Sequence, residues 1–434
     1  MSESSGGMRE FTILWLGQIA SMLGSAMTWF AFTIWAWEKT GQATALAFIS
    51  FFTFLPTILF TPIAGTLVDR WNRKWVMALS DMATALGTLV ALILFLSNSL
   101  EIWHVYVIGA VTGFFTAFQY PAYNAAVTTM LPKEQYTRAE GMLGLIPAIS
   151  TVFGPMFGAV LLNTYGMAFI MTIDLITFLA AFGTLLWVHI PQPRITVVGA
   201  QSRGSLWQET RFGFDYIRKH AGLFSLVKMF MAVNFFLAIG ATLLAPMILS
   251  KSANNEVALA TVQTVGALGG IAGGVLLSVW GGPTRRIHGI LIGGAGACLF
   301  GVTWLGLSTK LLFWAIGSFF FAFFEPFVEG INLSIWQSKV EADVQGRVLS
   351  ARHLMAQIPY LFGVLVSGLL AEKVMTPLLQ KDTPIARWFG SESGAGMSIL
   401  LVLAGISGAI IFLLGFVFRN IREIDSLIPD LKGE

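Results

Sequence analysis

Four acids stand inside long apolar runs of this sequence: Asp81, Asp174, Glu325 and Glu329. A carboxylate in such surroundings is costly to ionise, which makes it a candidate for carrying a proton or answering a charged ligand. In FFFAFFEPFVEGINLSIWQ, Glu325 and Glu329 are four residues apart, on one helical face and about 6 Å apart along the axis. Two charges so close oppose one another, as a protonation switch requires, and Pro326 and Gly330 add a hinge. The competing reading is a pair of neutral, hydrogen-bonded acids that holds the helix in place. Asp81, about two turns into its run, is placed to pair with basic residues at the membrane edge, and Asp174 stands in a later run. Other chemistry has no residues to carry it. Cys298 is the sole cysteine and lies in an apolar run, where it reads as a small buried hydrophobe. The five histidines, His104, His189, His220, His288 and His353, fall at the edges of runs or in loops without metal spacing or a nucleophile–base pattern. The chain is thus expected to be no enzyme, to hold no metal or cofactor, and, lacking a GxxxxGK[ST] loop, not to be driven by ATP.

The composition says which elements must position those acids. The 434 residues are 56% hydrophobic and 11% charged, with a mean hydropathy of +0.74, far more apolar than a water-soluble chain. The net charge of +3 is small and dispersed, without the basic stripe that nucleic acid would need. A bilayer-crossing helix takes about 20 mainly apolar residues. Twelve runs qualify, at 11–37, 43–67, 75–97, 102–130, 137–162, 167–188, 223–249, 257–280, 287–307, 311–337, 353–371 and 396–418. The opening MSESSGGMRE leads into a first run too long for a signal-peptide core, so that run is read as a span. The predicted fold is therefore all-α, with twelve transmembrane helices in two pseudo-symmetric six-helix bundles. Residues 1–189 and 223–434 form the bundles. The connector, 190–222, contains SLWQETRFGFDYIRKH, which predicts an amphipathic helix on the membrane surface.

Charge orients the spans. With the N-terminus inside, outer loops hold six of the 26 Lys/Arg (Lys39, Lys251, Lys310, Lys373, Lys381, Arg387), Lys228 lies within a span, and the other 19 fall on the inner side. Both termini are expected in the cytoplasm. A repeat supports the two sets of six. Gly65 and Gly274, Arg138 and Arg347, Gly154 and Gly363, and Trp71 and Trp280 are each 209 residues apart. Such a repeat implies homologous bundles related by an axis along the membrane normal, with the substrate site between them.

Between the second and third spans the sequence reads Gly65-Thr-Leu-Val-Asp69-Arg70-Trp-Asn72-Arg73-Lys74. Gly65 allows a close helix approach, and Asp69 can answer a helix N-terminus or a neighbouring arginine. Arg70, Arg73 and Lys74 also serve as positive-inside anchors. This stretch resembles the signature loop of the major facilitator superfamily. The second copy, Gly274 to Arg286, keeps the glycine and the basic pair but has Ser278 where the acid would stand. An electrostatic latch is therefore expected to be stronger in the first half. The fifth span carries Gly141, Ser150, Gly154, Pro155 and Gly158 at the spacing of the fifth-helix motif of the superfamily's drug:proton antiporters, with Ser150 and Ala159 in place of glycines. Read without the family, the same residues give a kinked, close-packed helix. The WGGP-x-RR loop, Asp81, Asp174 and Gln345-Gly346-Arg347 bring the resemblance nearest to the macrolide-efflux and enterobactin-exporter branch, over nearly the whole chain. The fourth span departs from many proton antiporters in carrying no arginine.

The resemblance implies a monomeric, proton-coupled exporter of small amphipathic molecules in a bacterial plasma membrane, working by alternating access. Cavity-lining residues are expected to be Gln18, Ser25 and Trp29 in the first span, Gln119, Tyr120, Tyr123 and Asn124 in the fourth, and Asn234 in the seventh. The 36 Phe, 17 Met and 14 Trp suit bulky apolar ligands, although many face lipid. A lysophospholipid translocator, with membrane lipid as the substrate, and a non-transporting receptor or scaffold are the alternatives.

Overall fold

In lipid every backbone N–H and C=O must find its partner within the protein, and a helix does this within one segment. The computed structural model describes residues 7–131, 136–190, 206–340, 344–379, 389 and 393–427, and all regular structure among them is helical. Six spans come first: α1 (Met8–Thr40), α2 (Ala43–Arg70), α3 (Arg73–Leu96), α4 (Ile102–Met130), α5 (Tyr136–Tyr165) and α6 (Met167–Trp187). The amphipathic segment of the connector is α7 (Leu206–Lys219). Six further spans follow: α8 (Ala221–Lys251), α9 (Glu256–Trp280), α10 (Arg286–Leu307), α11 (Leu311–Lys339), α12 (Gln345–Leu369, continued through Leu370–Met375 and Thr376–Leu379) and α13 (Ser393–Leu414). Two one-turn helices, α14 (Arg419–Arg422) and α15 (Ile424–Leu427), close the described chain. All twelve spans are long and apolar enough to cross a bilayer.

Several boundaries differ from the sequence reading. The second span runs on past 67 to Arg70, so Asp69 and Arg70, read as lying in the loop that follows it, sit on α2. The eleventh span begins at Gln345 rather than 353, since its polar opening QGRVLSARH is also helical. The twelfth ends at Leu414, and 415–418 form turns. Pro326 and Gly330, read as a hinge, lie in an uninterrupted α11.

The chain divides into two compact units, 1–36 with 49–206, and 37–48 with 207–434. In the first unit, buried Phe11, Leu14, Met77, Phe118, Ala122 and Leu185 join α1, α3, α4 and α6 in one apolar core. Asn72 caps α3 by accepting from the N–H groups of Lys74 and Trp75. Lys74 Nζ in turn donates to the carbonyls of Leu186 and Val188, both at 2.8 Å, placing a cation on the negative end of α6. In the second unit, Val227, Ile290, Val328, Trp336 and Phe412 centre the core. Gly281 ends α9 in the left-handed region at φ 78°, its N–H bonded to Leu277 O, a conformation that favours glycine. The 37–48 segment is held within this unit by Trp37 Nε1 donating to Asn254 Oδ1 at 2.8 Å. Thr44 N and Oγ1 also donate to the two carboxylate oxygens of Glu372.

The 209-residue offset recurs in the packing. α4 and α11 have boundaries 209 apart at both ends. Trp71 stacks on Phe118 with ring centroids 6.3 Å apart, and Trp280 meets Phe327 at the same 6.3 Å. A Cβ on Gly154 would press on Ala26, and one on Gly363 on Phe235, each residue again displaced by 209. Small residues at these crossings let backbones meet.

Candidate functional site

Two groups of ionisable side chains stand out, one in each unit. In the first, Asp81 on α3 is buried, and the amides of Gln18 on α1 and Gln119 on α4 both donate to its carboxylate, Gln18 at 3.0 Å. The basic partner expected for Asp81 is not found among the described residues. The helix turns this side chain inward to two neutral amides instead. Tyr123, one turn beyond Gln119, is buried with a hydroxyl that lacks a hydrogen-bond partner among the described residues. Three residues read separately from sequence as cavity-lining and one read as proton-coupling thus form a single polar cluster across α1, α3 and α4.

Asp174 on α6 is a second buried acid of this unit. It accepts from Ser25 Oγ on α1 and Thr88 Oγ1 on α3, both at 3.0 Å. Ser25, expected to face substrate, instead spends its hydroxyl joining α1 to α6. Trp29 packs edge-on to Phe32 with centroids 5.6 Å apart. On α5, Gly154 and Gly158 lie against Ala26 and Phe30 of α1, while Ser150 is buried and bonds back to Ile146 O. Pro155 lies inside a continuous helix. Arg73 is buried and opens α3. Gly65, Asp69, Arg70, Tyr120, Asn124 and Gly141 lie on described helices, but their side-chain surroundings fall outside the described residues.

In the second unit, Glu325 is the middle residue of α11, with fourteen helical residues on either side. It is exposed, contrary to the burial expected from its apolar neighbours, because Phe327, Val328 and Ile331 take the packed face of the helix. No described group bonds to it. Glu329, one turn further, is not merely a like-charged neighbour: Arg352 Nη2 on α12 lies 3.1 Å from its Oε2. Arg352 also stands 5.7 Å over the buried Trp336 ring, whose Nε1 donates to Asn332. Phe320 and Phe324 stack on successive turns of the same helix. Asn234 on α8 donates to Ala356 O on α12 at 3.1 Å, so this expected cavity residue bridges two helices.

The acid missing from the second signature loop is supplied from elsewhere. Ser278 only bonds back to Gly274 O. Asp425 of α15 lies 3.6 Å from Arg286 and 3.5 Å from Lys339, whose side chain is fully buried. Sequence reasoning missed Arg352 and Asp425 alike. Arg352 was placed one residue outside its span, and Asp425 lies 139 residues beyond Arg286, where no local spacing signals a pair. Among the described residues, no group of His, Cys, Asp and Glu is arranged to hold a metal ion.

A family model for the Major Facilitator Superfamily matches residues 14–364. Macrolide efflux protein A of Streptococcus pyogenes is 28% identical over 373 residues, covering 84% of this chain and 90% of that protein. Macrolide efflux protein A of Enterococcus faecalis is 28% identical over 315 residues, 71% of this chain and 95% of that protein. Among solved structures, a bacterial homolog of the human lysosomal transporter Spinster superposes with a TM-score of 0.68 at 13% identity, covering 98% of this chain and 99% of that one.

Proposed function

The chain belongs to the major facilitator superfamily of membrane transporters, and from that premise we propose that it exports amphipathic cations in exchange for protons. The observation that carries this reading is Glu325: a carboxylate at the middle of a span, exposed, with no bonded partner among the described residues, on a helix whose two preceding turns carry five phenylalanines. An apolar molecule bearing a positive charge satisfies both features, through ion pairing and ring contact. A proton satisfies the carboxylate equally well, so the two ligands compete for one group, which is the minimal requirement for exchange. Arg352 neutralises Glu329 and leaves Glu325 as the group that changes state. The efflux direction and the drug-like substrate class rest on the named relatives.

In this proposal the bundles 1–189 and 223–434 are the bodies that alternate, 190–222 links them on the cytoplasmic side with both termini, and Asp69 and Arg70 form the latch. The cytoplasmic placement follows the lysine and arginine count. Purified Glu325→Gln in proteoliposomes tests the proposal. Binding of the cationic substrate should weaken and lose its pH dependence, and uphill transport under an imposed pH gradient should fall at least about 100-fold, as expected when a step needing about 3 kcal/mol of proton binding is removed. Uphill transport equal to wild type would exclude Glu325 as the coupling group.

A further inference from the structure

Lys228 has no part in the exchange described above. It lies seven residues beyond Ala221, the first residue of α8, and therefore about 10 Å inside that helix. Its side chain is exposed, its ammonium lies 4.7 Å from the Phe224 ring centroid, and no carboxylate pairs with it among the described residues. A lysine at that depth needs either a route to the interface or an anion.

Beside it is a cavity of about 420 Å³. Lys228 and Ser225 line it from α8, and Arg419 and Asn420 from α14. The remaining wall is apolar, with Ile411 and Leu414 in the last turn of α13 and Phe418 just beyond it. Arg419 and Arg422 share a single acid, Glu423, at 2.9 and 2.8 Å, and hold its carboxyl below the usual glutamate range. One carboxylate against those two arginines and Lys228 leaves two positive charges at this end of the unit.

Such a site fits a ligand with an anionic head and an apolar body longer than the head. We propose that the cavity binds the headgroup phosphate of an anionic glycerophospholipid of the cytoplasmic leaflet. Lys228, Arg419 and Asn420 take the phosphate oxygens, and an acyl chain lies along Ile411, Leu414 and Phe418. The pocket is one-sided, polar at the membrane edge and apolar beyond, which a soluble anion would leave half unused. A basic pocket at the cytoplasmic ends of spans is the usual setting for such headgroups.

Native mass spectrometry of the full-length protein in detergent, titrated with phosphatidylglycerol, phosphatidylcholine or inorganic phosphate, tests the assignment. Phosphatidylglycerol should be retained in preference to phosphatidylcholine. Lys228→Gln should weaken its retention by about fivefold, the share of one basic residue at an anionic surface, while Lys228→Arg keeps it. Arg419→Gln serves as the second variant should Lys228→Gln fail to give a monodisperse protein. Equal retention by Lys228→Gln and wild type, equal retention of the two lipids, or displacement of phosphatidylglycerol by millimolar inorganic phosphate would each overturn the proposal.

Discussion

Placed in register by the 209-residue offset, the two units agree where helices touch and disagree where charges sit. The Trp71–Phe118 and Trp280–Phe327 contacts coincide, as do the close approaches at Gly154 and Gly363. Gln18 and Gln119, which hold Asp81, correspond instead to Val227 and Val328, both within the apolar core of the second unit, and α10, which stands where α3 does, carries no acid. In the other direction, Glu325, Glu329 and Arg352 correspond to Thr116, Tyr120 and Leu143. The same helical frame thus takes an uncharged filling at either place. Because a polar group buried in the first unit, and acids set in the middle of a span in the second, both cost free energy that a valine does not, each unit's charged set has to be explained by something other than packing.

The largest departure from symmetry should give the largest effect. Asp81→Ala leaves the amides of Gln18 and Gln119 without their acceptor in a buried site, at about 1–3 kcal/mol for each unpaired group. It should lower the thermal unfolding midpoint markedly and abolish transport. Replacing all three residues by apolar ones, Gln18→Val, Asp81→Ile and Gln119→Val, should recover most of the stability and none of the transport. Were that triple variant to transport like wild type, the cluster would be a packing element and the comparison would lose its functional meaning.

A smaller effect is expected where the second unit has moved its acid. Asp425→Asn should cost about 1–2 kcal/mol, less than a fully buried pair, because the Asp425 side chain is 32% exposed. Adding Lys339→Met should return most of that loss, since the buried ammonium is then gone. A thermal-unfolding double-mutant cycle reads the coupling, and zero coupling would remove Asp425 as the substitute for the acid absent at Ser278.

The smallest differences belong to the shared frame. Trp71→Ala and Trp280→Ala should each lose roughly 0.5–1.5 kcal/mol, because both rings are more than half exposed and each faces one phenylalanine. The two losses should agree within about 0.5 kcal/mol, the usual scatter of independent sites. Clearly unequal losses in unfolding would show that the repeat is kept in geometry but not in energy.

The twelve spans, the helical class and the membership of the family were legible because long apolar runs, Lys/Arg asymmetry and a fixed offset are local or periodic properties of the chain. Polar helix ends misled: QGRVLSARH looked like a loop, although it continues α12. Side-chain partners were less legible still. Asp81 was expected beside a cation and stands beside two amides, and Glu329 was expected beside an acid alone and also meets Arg352.

The sequence by itself determined how many long apolar helices this protein has, the segment each occupies and which few acids lie well inside them, because transfer of each segment into lipid depends on that segment alone. Only the tertiary structure decided which acids are buried and what answers them. Asp81 turns into the first unit while Glu325 turns out of the second, and Asp425 reaches Arg286 across 139 residues. Those outcomes depend on helix rotation and packing, and a rotation of a few tens of degrees, invisible to hydropathy, moves a side chain from one neighbour to another.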